Sequence, residues 1–297
     1  MVSFDGDVYN LRMQNYALLI LVQVLFGLNF VASKIVVSNW SAFGFASWRF
    51  IISGLFLLIY LKLRGSSLKL ERVHWRPLFM LSLIGLSFSQ SCFLWGLKNT
   101  TATNTALISS TIPVFVFIIN RLRNIGTWSK GKVFGLSLSF FGVLILRNVE
   151  DFSLSNQSFV GDLFVLMACA SLGWLISMSK DFYSKVPALL GSAHMFWLGG
   201  CLLIPAWLFL SEPLIPGFTG QFLPALLYSI FGATCLTYLL NNIVLTKVDS
   251  DVVGLFIFLQ PVVATTVAVF FLGEIFTLRM AMSFFLIASG VIIVVRK

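Results

Sequence analysis

"LFGLNFVASK" (Leu25–Lys34) closes a long apolar run with a lysine, and "SLGWLISMSK" (Ser171–Lys180) does the same later in the chain. Gly27 and Gly173 are 146 residues apart, and so are Lys34 and Lys180. The correspondence continues downstream at a separation of 148. "GLKNTTATNTALISSTIP" (Gly96–Pro113) aligns with "VLTKVDSDVVGLFIFLQP" (Val244–Pro261), and "FGVLIL" (Phe141–Leu146) with "SGVIIV" (Ser289–Val294). The landmarks keep their order and nearly their spacing, so the chain contains itself twice.

The runs that carry these landmarks are long, continuous and apolar. The 297 residues are 58% hydrophobic and 10% charged, against roughly 25% charged in an ordinary soluble domain. Mean hydropathy is +0.95. Backbone exposed to lipid must bond within its own helix, so this composition predicts a polytopic α-helical membrane protein. A membrane barrel would show short alternating strands instead. Ten spans are expected, near 16–37, 43–63, 76–97, 103–120, 132–147, 160–179, 187–210, 221–244, 251–272 and 277–295. Each half then holds five. Five is odd, so the second copy is inverted in the bilayer, a recurring transporter plan. The expected organisation is a 1–15 N-terminal segment, a 16–148 first repeat, a 149–159 external connection and a 160–297 second repeat.

Charge placement predicts the orientation. The loops on one side carry Arg12, Lys62, Arg64, Lys69, Arg72, Arg76, Arg121, Arg123, Lys130, Lys132, Lys180, Lys185, Lys247, Arg296 and Lys297. The other side carries Lys98, Arg147 and Arg279. The positive-inside rule puts the first set, and both termini, in the cytoplasm. The net charge of +9 is thus scattered through short loops, which argues against nucleic acid as a partner. Asp5 and Asp7 precede an apolar run too long for a signal peptide, so the first helix is expected to be retained. The four cysteines fall inside apolar runs and form neither a disulfide nor a zinc framework.

No catalytic constellation stands out. "GTWSKGKV" (Gly126–Val133) nearly fits a phosphate-binding loop, but Val133 stands where Ser or Thr is needed and no strand precedes it. His74 and His194 are far apart, and no metal or cofactor site is expected. A channel would favour charged rings or a carbonyl filter. A membrane scaffold would need larger loops to display. A transporter of small solutes is the preferred reading, with lipid as its surroundings and a channel or scaffold as the alternative. No span holds an acidic residue at its middle, so coupling to a proton or to a counter-substrate stays open.

At 100° per residue, Gln23, Gly27, Phe30 and Lys34 share one stripe of the first helix, with Asn29 and Ser33 beside it. Such a stripe is expected to face protein or water. Arg49, about 9 Å into the second span, needs a partner, a cavity or headgroups. Lys34 and Arg49 together are expected to attract an acidic group. Ser82, Gly85, Ser89, Cys92 and Gly96 read as a packing seam on the third helix, with Gln90 and Trp95 off it as cavity candidates. Asn104 in the fourth, Trp174 and Ser177 in the sixth, Tyr238 and Asn242 in the eighth, and Gln260 in the ninth complete the candidate substrate-binding set. Aromatic rings with a few amides suit an amphipathic or anionic metabolite. Pro113 and Pro261, at matched positions, predict helix breaks.

At "LFGLNFVASK", "WRF" (Trp48–Phe50) and "GE" (Gly273–Glu274) the chain resembles the drug/metabolite transporter superfamily, EamA-like branch. The resemblance covers both repeats. It implies a ten-helix inverted-repeat bundle around a central cavity lined by the first, third, fourth, sixth, eighth and ninth helices. It also implies transport of small metabolites, amino acids among them, across the inner membrane. The first repeat has "NIG" (Asn124–Gly126) where its copy has "LGE", so the acidic residue occurs once.

Overall fold

A computed structural model of the chain describes residues 3–100, 105, 108–125, 129–146, 156–209, 217, 220–272 and 277–295. Ten helices follow in order: α1 (Ser3–Asn39), α2 (Ala42–Leu63), α3 (Arg72–Asn99), α4 (Ile112–Leu122), α5 (Lys130–Leu146), α6 (Asn156–Tyr183), α7 (Ala188–Phe209), α8 (Phe222–Leu245), α9 (Ser250–Phe256 and Leu259–Leu272) and α10 (Leu278–Val295). Six of them are long and apolar enough to cross a membrane, and the stretches Ile112–Leu122, Ser250–Ala264 and Leu278–Val294 are shorter apolar helices. The main departures from the expected spans are at their ends. α1 begins well before residue 16, and α3 begins at Arg72, so Pro77 lies inside a helix. Asn104, Gly273 and Glu274 lie outside the described residues, as does most of the expected 149–159 connection.

The helices pair as a two-fold demands. α2 packs on α7 and α5 on α10; α3 packs on α6 as α8 does on α1; α4 packs on α6 as α9 does on α1. Exchanging each helix with the one five places later reproduces the set. Glycines make the closest approaches. A Cβ on Gly27 would lie 2.8 Å from Val263 Cβ, and one on Gly173 would lie 2.7 Å from Phe115 Cβ. These are the two opening glycines, and Phe115 and Val263 are themselves repeat mates. The same exchange relates Gly54 against Trp197 to Gly200 against Ile51, and Gly142 against Ile287 to Gly290 against Ser139. Between membrane helices, where lipid is as apolar as a leucine, such close backbone contact holds a bundle together. The α3 stripe is part of this: Gly85 meets Leu175, Gly96 meets Gly161, and Ser89 Oγ donates to Ala168 O at 3.0 Å.

Two irregularities also repeat. π-helical turns occupy Leu81–Phe88 of α3 and Tyr228–Leu236 of α8. Ser87 and Thr234 hydroxyls return to the carbonyls five residues back, Ser82 O and Ser229 O. A turn at 110–111 precedes Pro113 in the first turn of α4, and α9 breaks at 257–258 just before Pro261. Proline lacks an N–H and is accommodated where a helical segment begins.

The buried core has two parts. Phe45, Phe50, Leu86, Phe196 and Trp207 belong to the first, around α2 and α7. Val116, Val143, Phe258, Ile287 and Val291 belong to the second, around α4, α5, α9 and α10. Large apolar side chains also cover the outside, among them Ile20, Phe56, Ile59 and Phe285. Core on both faces of the wall is what a lipid-embedded bundle requires.

Candidate functional site

A cavity lies between the two core parts. α1, α3, α4, α6, α8 and α9 line it, and α2 contributes Arg49. Gln90 Nε2 donates to Tyr238 OH at 3.0 Å inside it. These two residues are repeat mates, 148 apart, so their bond marks the pseudo-two-fold axis. The breaks of α4 and α9 open onto the same space, through Ser109 and Ile112 on one side and Ile257 and Gln260 on the other.

Arg49 is 1% exposed, and its NH2 donates to Gln90 Oε1 at 2.6 Å. Phe45 and Phe50 rings lie 5.1 and 4.9 Å from its guanidinium carbon. Nε is buried without a partner. Gln260 Nε2 donates to Gln23 Oε1 at 2.7 Å, and Ser229 Oγ donates to Asn29 Oδ1 at 3.0 Å. Asn242 Nδ2 donates to Tyr183 OH and Ser192 Oγ, so its amide N–H groups tie α8 to α6 and α7. Asn241, its neighbour, lines the cavity and has no hydrogen-bond partner among the described residues.

Seven of the expected residues therefore meet here: Gln23, Asn29, Arg49, Gln90, Tyr238, Asn242 and Gln260. Four do not line this cavity. Lys34 Nζ donates to Leu97 O at 2.6 Å and Thr100 O at 2.9 Å, capping the end of α3 with the cation that bare carbonyls attract. Trp95 packs at a tilt against Phe164, with ring centroids 4.4 Å apart. Trp174 lines a separate groove with Pro77 and Met178. Ser177 Oγ donates to Asn120 Oδ1 at 2.5 Å, and Ser177 O accepts from Arg123. Asn104 lies outside the described residues. Sequence reasoning missed Asn241, Phe93 and Ser179; the adjacent "NN" at 241–242 was the signal for the first.

The two walls differ. Gln23, Asn29, Phe30 and Gln260 on α1 and α9 have Cys169, Leu175, Ile176 and Ile112 as their mates on α6 and α4, and all eight line the cavity. Arg49 has Met195 as its mate. One wall is polar and the other apolar.

At one end of the bundle, which holds the basic loops, charges close the helix ends together. Asp251 accepts from Asn120 Nδ2 at 2.5 Å and Lys132 Nζ at 3.2 Å, with Arg121 at 3.8 Å. Lys180 pairs with Asp249 at 2.5 Å, and Arg123 pairs with Asp181. The Lys180 hydrogen bond, aided by the charges of Lys180 and Lys132, holds the Asp249 carboxyl below its ordinary range against partial burial.

This is a multi-pass inverted-repeat membrane bundle with a cavity on its axis. The family model for the EamA-like transporter family matches residues 14–148 and again 159–296, and the chain belongs to that family. An uncharacterized transporter of Archaeoglobus fulgidus is 30% identical over 93% of this chain and 84% of its own. Another, YoaV of Bacillus subtilis, is 23% identical over 92% of this chain and 94% of its own. A solved crystal structure, 17% identical, superposes with a TM-score of 0.78 over 96% of each chain, which shows the shared fold.

Proposed function

We propose that the chain carries small metabolites across the inner membrane by alternating access, with the axial cavity as the substrate site and the basic end, with both termini, in the cytoplasm. The Gln90–Tyr238 bond carries this reading. A site on the axis keeps the same surroundings when one repeat rocks against the other, which is the geometric need of a carrier. Gln23, Asn29, Arg49, Gln90, Tyr238, Asn241, Asn242 and Gln260 are the proposed substrate contacts. The broken helices α4 and α9 supply backbone able to bend beside them.

Purified protein in liposomes, loaded with a metabolite panel, is expected to show saturable counterflow of at least one solute. Linear, non-competable flux would instead mean a pore, and no flux of any solute a scaffold. Orientation has a separate check. Ser67→Cys, in a chain without the native cysteines, is expected to resist an impermeant maleimide added to intact cells. Labelling from outside would reverse the topology.

A further inference from the structure

We propose that the cavity takes an organic monoanion: a carboxylate on an apolar or aromatic body, with no ammonium group beside it. This rests on the cavity being the transport site.

The charge count carries the argument. Arg49 is a buried cation on the cavity wall, and among the described residues its one hydrogen-bond partner is the neutral Gln90. Its Nε is unpaired. A guanidinium offers five N–H donors in a fork that matches a carboxylate, so most of its capacity is unspent. A buried charge without a counter-ion is costly, and a bound anion removes that cost. One cation favours one negative charge. Among the described residues, no Asp or Glu lines the cavity.

An amino acid would also need a seat for its ammonium. The helix breaks are the places where free carbonyls are expected, and several of those described there are already taken. Ile257 N bonds Gly254 O, Phe258 N bonds Leu255 O, and Gln260 N bonds Ile257 O. In α4, Ile108 O accepts from Thr111 N and from Thr111 Oγ1. The remaining polar wall offers neutral amides. Leu172, Leu175 and Ile176 on the opposite wall, and the rings of Phe26, Phe30 and Phe93, give an apolar bed for the ligand's body. Burying that body supplies affinity, while Arg49 fixes the orientation.

Titration calorimetry on the full chain in detergent micelles tests this with four probes: 3-phenylpropanoate, its primary amide, phenylalanine and 4-methylpentanoate. At least one of the two carboxylates is expected to bind, and 3-phenylpropanoate about tenfold or more tighter than its amide or phenylalanine. Arg49→Gln is expected to erase the acid–amide difference and Arg49→Lys to restore part of it. If Arg49→Gln fails to fold, the wild-type probe series still decides. Equal binding of acid and amide, phenylalanine binding as tightly as the acid, or no binding of either carboxylate at millimolar concentration overturns the proposal. Counterflow of the same probes separates the two readings. Tight carboxylate binding without flux would sink the transport reading and leave the ligand class standing. Flux of phenylalanine or the amide at the rate of the acid would do the reverse.

Discussion

Asp251 is the residue whose loss should open the basic end of the bundle. Its side chain is 8% exposed and receives Asn120 and Lys132, with Arg121 beside them, so it joins the start of α9 to the ends of α4 and α5. Asp251→Ala removes two charge-bearing hydrogen bonds and leaves two cations facing each other. Such bonds contribute about 1.5–3 kcal/mol each when desolvated, and less here because Lys132 is partly exposed, so a total of about 2–4 kcal/mol is at stake. At 1.4 kcal/mol per factor of ten, the closed-to-open ratio should fall roughly 30- to 1,000-fold. The readout is a cysteine placed just inside the closure. Ser179 is buried and lines the cavity one residue before Lys180. In a chain without native cysteines, Ser179→Cys should react with an impermeant maleimide added at the basic end slowly in the parent and at least tenfold faster with Asp251→Ala. Identical rates in two well-folded proteins would refute the reasoning, because the charges would then decorate the end without closing it.

Three further outcomes are expected. Gly54→Ala places a methyl group 2.3 Å from Trp197 N, so α2 and α7 must separate, whereas Gly220→Ala meets nothing within 4 Å. The first should cost about 1–3 kcal/mol and lower the unfolding midpoint in detergent, and the second should leave it unchanged. Lys34→Gln frays the α1–α3 contact away from the cavity, so it should weaken binding of 3-phenylpropanoate and its amide by the same factor, which titration calorimetry can check. The Lys180–Asp249 bond involves a carboxyl held below its usual value of 3.8. Its contribution is complete above that value and is lost only as pH falls through the lowered one. The Ser179→Cys labelling rate should therefore not change from this source between about pH 5 and 8.

Much of this was legible in the residues, for identifiable reasons. Spans follow from apolar length, the repeat from spaced Gly and Pro, and the helix breaks from Pro113 and Pro261. The α1 stripe was expected to face protein or water, and its residues do meet protein: Gln23 meets Gln260, Gly27 meets Val263 and Phe30 meets Phe93. What failed was depth along the stripe. Periodicity gives the face of Lys34 but not that α3 ends beside it with open carbonyls. The π-helical turns were also invisible, because "LSLIGLSF" and "YSIFGATCL" read as ordinary apolar helix. Each such turn shifts the helical phase, so a wheel drawn at 3.6 residues per turn loses its bearing across α8.

The repeat divides the residues by what they do. Those that set backbone distance recur in both halves: Gly27 with Gly173, Gly54 with Gly200, Gly142 with Gly290, Pro113 with Pro261. Those that can recognise a solute do not, and in the charged closure Lys180 alone keeps its type, in Lys34. Arg49 has Met195 as its mate, Gln260 has Ile112, and Asp251, Arg121 and Arg123 have Thr103, Val269 and Phe271 in the alignment. On the proposed alternating-access reading, symmetric packing would let the two halves exchange conformations at similar cost. On the proposed transport reading, asymmetric polarity would then decide which exchange is favoured, with the solute held from the α1–α9 wall and a charged closure at one end. A chain in which Gln23 and Gln260 are replaced by their mates, Gln23→Cys with Gln260→Ile, keeps every glycine contact and leaves Asn29 as the one amide of the α1–α9 wall. It should fold with an unchanged unfolding midpoint and bind 3-phenylpropanoate more weakly, while Arg49 still favours it over the amide. A collapse of folding instead would mean that the Gln23–Gln260 bond belongs to the scaffold, and that the polar wall is part of the packing.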